Sequence, residues 1–173
     1  MKKILRAISL VFDILYRIFV ESSKIVLLAM VLIISAQVIM RTFTKHSIYW
    51  SEEVALLLMV WTAFIAMAIG VEKSMHISIS IFYNKFPKWL KTGVTKLYEA
   101  LTTGFGIALI YYGIKLIGIT ATSTLPATKL PASWGYMMIP VSGVFITYFS
   151  LLNLFNLNWL RHDNILKGKD ENV

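Results

Sequence analysis

Four apolar runs, almost free of charge, constrain this chain more than any other feature. The first is Ile25–Met40, bracketed by Lys24 and Arg41, and it is short unless those two side chains reach out to the interfaces. The second is Val54–Val71, which at about 1.5 Å per residue reaches roughly 27 Å, close to the thickness of a hydrocarbon core. The third, Leu97–Ile119, carries Glu99 near one end and Lys115 near the other. The uncharged stretch Leu130–Leu160 holds the fourth, over Trp134–Asn156. Backbone groups in lipid must be satisfied within their own segment, so each run reads as a helix. Only 15% of the residues are charged, against about 25% in a soluble domain. Once the runs are subtracted from 173 residues, no large aqueous domain fits.

Cysteine is absent, which excludes disulfides, thiolate metal sites and thiol catalysis. The net charge of +8 does not point to nucleic acid, because the basic residues flank the apolar runs instead of lining one face. Their distribution sets an orientation. Lys2, Lys3, Arg6, Arg17 and Lys24 lie before the first run; Lys73, Lys85, Lys88, Lys91 and Lys96 follow the second; Arg161, Lys167 and Lys169 lie in the tail. Arg41, Lys45, Lys115 and Lys129 fall on the other side, a split of thirteen against four. Both termini and the connection after the second run are therefore expected in the cytoplasm.

The N-terminus follows a different pattern. Ile4, Leu5, Ile8, Val11, Phe12, Leu15, Ile18 and Phe19 recur at three- and four-residue steps, while Lys2, Lys3, Arg6, Asp13 and Arg17 occupy other faces. This describes an amphipathic helix suited to the interface plane, or to a partner protein. A signal peptide is the rival reading, but Asp13, Arg17 and Glu21 interrupt the apolar stretch and no small-residue cleavage site follows. The expected fold is an all-α membrane protein with four transmembrane helices plus an N-terminal amphipathic interfacial helix. Its parts are the amphipathic helix at 2–22, spans at 24–41, 53–72, 97–119 and 134–157, a cytoplasmic connection at 73–96, a periplasmic loop at 120–133 and a polar tail at 158–173.

Ionisable residues within a membrane are the first place to look for function, and the four span centres contain none with a charge. Their most polar residues are Ser35, Gln37, Thr62, Thr102 and Thr103. An ion or proton pathway needs carboxylates or histidines at mid-depth, so transport by this chain alone is disfavoured. His46, His76 and His162 lie in connections or the tail, where they are ill placed for haem or a metal, and no cofactor is expected. The "HISISI" stretch, His76–Ile81, reads as the start of an interfacial helix.

"WSEEVALLLMVW", Trp50–Trp61, opens the second span. Ser51 fits an N-cap, Glu52 and Glu53 suit the positive end of the helix dipole, and Trp50 fits the interfacial belt. Two adjacent acids exceed what capping requires, so a contact to a partner subunit stands beside the structural explanation. Small residues at helical spacing, Ala66/Gly70, Gly104/Ala108 and Gly143/Thr147, allow close helix approach. "STLPATKLPASWGYMMIP", Ser123–Pro140, places three prolines at the edge of the fourth span. Pro126 and Pro131 define a stiff, extended outer connection; Ser133 is positioned to cap the last span; Pro140 removes the donor for the Tyr136 carbonyl and should kink the helix there. A rigid turn and a docking surface both fit this stretch.

These residues together resemble a known family, the small membrane subunits of the tripartite ATP-independent periplasmic (TRAP) transporters. Trp50, Glu52 and Glu53 match the opening of that family's second span, Trp61 and Gly70 its continuation, and His76 with Ile77 the start of its cytoplasmic connection. Ser123, Pro126, Ala127, Pro131, Tyr136, Pro140 and Gly143 match its outer loop and last span. The likeness covers roughly Arg41–Asn156. Ser80 stands where relatives often carry an acid, and Lys73 where Arg is commoner.

The resemblance implies a non-enzymatic scaffold in the bacterial inner membrane. It implies pairing with a large multi-span subunit that holds the substrate and sodium sites, and docking of a soluble periplasmic substrate-binding protein. The imported substrate is then an organic acid, sialic acid first and C4-dicarboxylates next. Two other classes stand as alternatives. A haem-binding or enzyme subunit requires histidines or carboxylates near mid-bilayer, and a homo-oligomeric exporter requires an acid at a span centre.

Overall fold

A computed structural model describes residues 2–45, 48–73, 88–155 and 157. Among these residues five helices follow in order: α1 (Lys2–Thr44), α2 (Tyr49–Glu72), α3 (Lys88–Thr120), α4 (Ser133–Tyr136) and α5 (Met138–Leu154). Four stretches of the described residues are long and apolar enough to cross a membrane: Ser9–Thr44, Tyr49–Glu72, Thr92–Thr120 and Ser133–Leu154. They alternate in direction. Gln37 of α1 meets Glu52 of α2, Tyr16 of α1 meets Glu72 of α2, and Glu99 of α3 meets Ser150 of α5. One end of the bundle, the loop end, therefore carries Lys45, Ile48, Tyr49 and residues 121–132. The opposite end carries Glu72, the start of α3 and the end of α5.

The buried core is small and centred on α5. Phe145, Ile146, Phe149 and Leu152 of α5 pack with Ile65, Ala68 and Val71 of α2 and with Tyr16 and Phe19 of α1. The outside is greasier than a soluble protein tolerates. Leu28, Leu32 and Ile39 on α1 and Leu101, Ile107 and Ile119 on α3 are all exposed. In a bilayer this surface faces acyl chains, so burial against protein is not needed to satisfy it.

Where α3 and α5 meet, backbones approach closely. A Cβ on Gly106 would collide with Thr147 Oγ1, one on Gly113 would lie 2.8 Å from Pro140 Cδ, and one on Gly143 would lie 3.0 Å from the Gly106 carbonyl. The Gly143/Thr147 pair expected from spacing is thus at a helix contact. Gly104 is not: a Cβ there meets nothing within 4 Å. Ala66 is exposed and Gly70 half-buried.

The first helix differs from expectation. No break separates an interfacial helix at 2–22 from a span at 24–41; α1 runs unbroken for 43 residues, about 65 Å at 1.5 Å per residue. Ser22 and Ser23, where the break was expected, return their hydroxyls to the Phe19 and Val20 carbonyls at 2.8 and 2.6 Å, so they stay helical without solvent. The apolar face of the early segment is partly covered by its own chain. Phe12 stacks on Tyr148 at 4.4 Å, Tyr16 sets its edge against Phe145 and Phe149, and Phe19 lies over Phe145.

Helix starts also differ. Ser51 is not the N-cap of α2: the helix begins at Tyr49 after Ile48, and the Ser51 hydroxyl instead bonds back to the Ile48 carbonyl at 2.7 Å. Ser133 is the first residue of α4 and not its cap, which is Ala132 without a side-chain bond. α3 starts at Lys88, inside the segment assigned to the connection. Where a kink is expected at Pro140, the helix is interrupted for one residue: α4 and α5 are separated at Met137, next to the Tyr136 carbonyl that Pro140 leaves without a helical donor, while Met137 keeps right-handed helical angles, φ −59° and ψ −31°.

Candidate functional site

The loop end holds the most organised polar structure that the sequence singles out. After α3 ends at Thr120, the Ser123 amide bonds back to the Thr120 carbonyl, and the Ser123 carbonyl accepts the Ala132 amide at 2.8 Å. The Leu125 amide donates to Leu130 O at 2.8 Å, and Thr124 and Pro131 form an antiparallel bridge. The connection is therefore a closed turn and not the extended segment its prolines suggest. Pro126 opens the turn and Pro131 closes it. Proline has no amide to donate, and the bonds that shut the turn come from its neighbours. Lys129 takes a left-handed conformation, φ 59°, which turns the chain back.

Glu53 ties this turn to α2. Its carboxylate accepts the Ala127 amide at 2.7 Å, the Thr128 amide at 2.8 Å and the Thr128 hydroxyl at 2.9 Å. Two successive N–H groups aimed at one anion form a concave donor nest, and bonds to a charged acceptor are stronger than neutral ones. A second tie lies deeper, where Trp61 Nε1 donates to the Trp134 carbonyl at 2.9 Å. Both Trp61 and Glu53 lie on α2, so one helix holds the loop and the start of the last span in register.

Glu52 points elsewhere. It is exposed on the α1–α2 seam, and Gln37 Nε2 donates to it at 3.0 Å. The adjacent acids thus do different things: Glu53 holds the loop and Glu52 closes onto α1. Adjacent in the sequence, they are told apart only by the neighbours each one meets.

The remaining expected residues fall into place around these. Ser123, Pro126 and Pro131 are in the anchored turn with Glu53; Tyr136 and Pro140 flank the α4–α5 break; Gly143 lies against Gly106. Trp50 is exposed and Gly70 is near the opposite end of α2, so neither joins the loop cluster. His76 and Ile77 lie outside the described residues, as do His46, Ser80 and His162.

A second polar cluster, at the other end, was not anticipated. Asp13, Glu72 and Glu99 are buried, with Tyr16 donating to Glu72 at 3.3 Å. Ser150 donates to the Glu99 carbonyl at 2.7 Å and lies 3.0 Å from its carboxylate, and Thr103 lies 3.0 Å from Ser150. Lys96 donates to the Leu154 carbonyl. The hint in the sequence was Asp13 three residues before Tyr16 beside an aromatic stripe, but an acid near a helix end reads as interfacial until the facing helix is known. Among the described residues no group of three or more His, Asp or Glu is arranged to hold a metal.

The fold and this site define a multi-pass helical membrane protein with a braced loop at one end. The chain belongs to the family described as tripartite ATP-independent periplasmic transporters, DctQ component, whose model matches residues 30–158. That family is a membrane component of transporters and not an enzyme. Among similar proteins is the sialic acid TRAP transporter small permease protein SiaQ of Vibrio cholerae, 29% identical over 130 residues that cover 75% of each chain. The sialic acid TRAP transporter permease protein SiaT of Haemophilus influenzae is 22% identical over 67% of this chain, and the isethionate TRAP transporter permease protein DctMQ of Oleidesulfovibrio alaskensis is 25% identical over the same share. The matches to these two cover only 19% and 20% of their length.

Proposed function

We propose that this chain is the small subunit of a sodium-driven importer of an organic acid. In this reading it braces a large membrane subunit that carries the transport path, and its anchored loop helps dock a periplasmic substrate-binding protein. The observation that carries the reading is the loop itself: a turn held to α2 by three bonds from Glu53 is a defined surface, whereas a simple connector needs no such tie. The family supports the scaffold role. The large relatives, in which a stretch like this chain is about a fifth of a longer permease, support a large companion.

The family supports a location in the bacterial inner membrane, and the thirteen-against-four split of basic residues supports both termini cytoplasmic and the loop outside. Sialic acid is the leading substrate because two of the similar proteins are described as sialic acid transporters; the isethionate relative keeps other organic acids in view. The test is purification of the tagged chain in mild detergent, followed by uptake of labelled N-acetylneuraminate by cells with and without it. Co-elution of a large multi-span permease and loss of uptake on deletion are expected. Elution alone with uptake intact would remove both the companion and the substrate.

A further inference from the structure

We infer that Glu52 is the polar anchor of an outward-facing stripe on α2 that docks a span of the large membrane subunit, receiving a Lys or Arg side chain from it. This rests on the reading above and assigns it a contact surface. Below Glu52, Leu56, Met59, Ala63 and Met67 follow at steps of three and four, and all are exposed, Leu56 at 59% and Met59 at 53%. They form one continuous helix face. Buried residues of α2, among them Ser51, Ala55, Ile65 and Ala68, face the bundle. Glu53, one residue on, spends its carboxylate on the loop.

Charge identifies what covers the stripe. Glu52 lies about one helical turn into a membrane-crossing segment, and Gln37, a neutral amide, is its only hydrogen-bond partner among the described residues. No ion pair reaches it from Arg41, which lies one turn beyond Gln37 on α1. A carboxylate on a lipid-facing surface is costly, and such groups are normally paired or turned to protein or water. An apolar stripe alone is satisfied by acyl chains. An apolar stripe with a singly bonded carboxylate at its head is satisfied better by a helix that brings a cation to the same depth.

The test uses the complex purified through a tag on this chain. Wild type is expected to retain the large subunit, and Glu52→Lys to lower that retention at least about tenfold, because reversing one partner of a desolvated pair leaves two like charges together. Glu52 is exposed in the single chain, so circular dichroism of Glu52→Lys should match wild type. A second variant guards against misfolding: the chain has no native cysteine, so Met59→Cys carries a thiol-linked benzophenone at one position. Photolysis is expected to join it to the large subunit, and Glu52→Lys in the same chain to abolish that product. Equal retention by wild type and Glu52→Lys, or a Met59 probe that captures only phospholipid or a second copy, overturns this inference while leaving the companion intact. Absence of any large subunit from the wild-type preparation overturns the reading on which it rests.

Discussion

Glu53 shows how one side chain converts a connection into a surface. Without it, the Ala127 and Thr128 amides lose their acceptor on α2, and the turn is held only by its own bonds around Leu125, Leu130 and Ala132. Glu53→Gln keeps the shape and one acceptor oxygen but loses the charge that strengthens these bonds. It should therefore be milder than Glu53→Ala. The expected outcome for Glu53→Ala is a loop cut several-fold faster by an added protease, with the bundle still intact, and several-fold slower uptake at limiting binding protein. A loop no more accessible than in wild type would reduce Glu53 to a helix-start residue.

At the scale of elements, the tight contact is α3 against α5; spacing selects Gly143 for it but not Gly106 or Gly113. Gly106→Ala must move Thr147 or part the helices, and overpacking of this kind costs about 1–3 kcal/mol. Gly104→Ala meets no atom and should stay within about 0.5 kcal/mol of wild type. Thermal unfolding in detergent separates them, with a lowered midpoint expected for Gly106→Ala alone; equal midpoints would mean that the helices do not meet there. The contrast shows what was legible beforehand. Helix existence followed from charge-free runs, and the Met137 break from Pro140, because both are local consequences of lipid and of a missing amide. Which glycine touches which helix, and which of two adjacent acids reaches the loop, depend on helix rotation, and rotation is set by the neighbour. The same holds for α1. Its periodicity announced an apolar face, but only the facing Phe145, Tyr148 and Phe149 on α5 show that part of this face meets protein.

For the whole molecule, the small core and wide apolar exterior describe a brace more readily than a conduit. The buried acids Asp13, Glu72 and Glu99 cluster towards one end, where Tyr16, Ser150 and Thr103 bond around two of them, and they do not form a file across the bundle. The loop end is held by Glu53 and Trp61, both from α2, and the same helix carries the Glu52 stripe. One helix thus links the proposed docking loop to the proposed contact with the large subunit. The most direct measurement is uptake of labelled substrate into proteoliposomes with and without an inward sodium gradient. They would contain this chain alone, or this chain with the large subunit and the binding protein. The bracing role predicts no uptake by the chain alone and gradient-dependent uptake by the full set; uptake by the chain alone would contradict it.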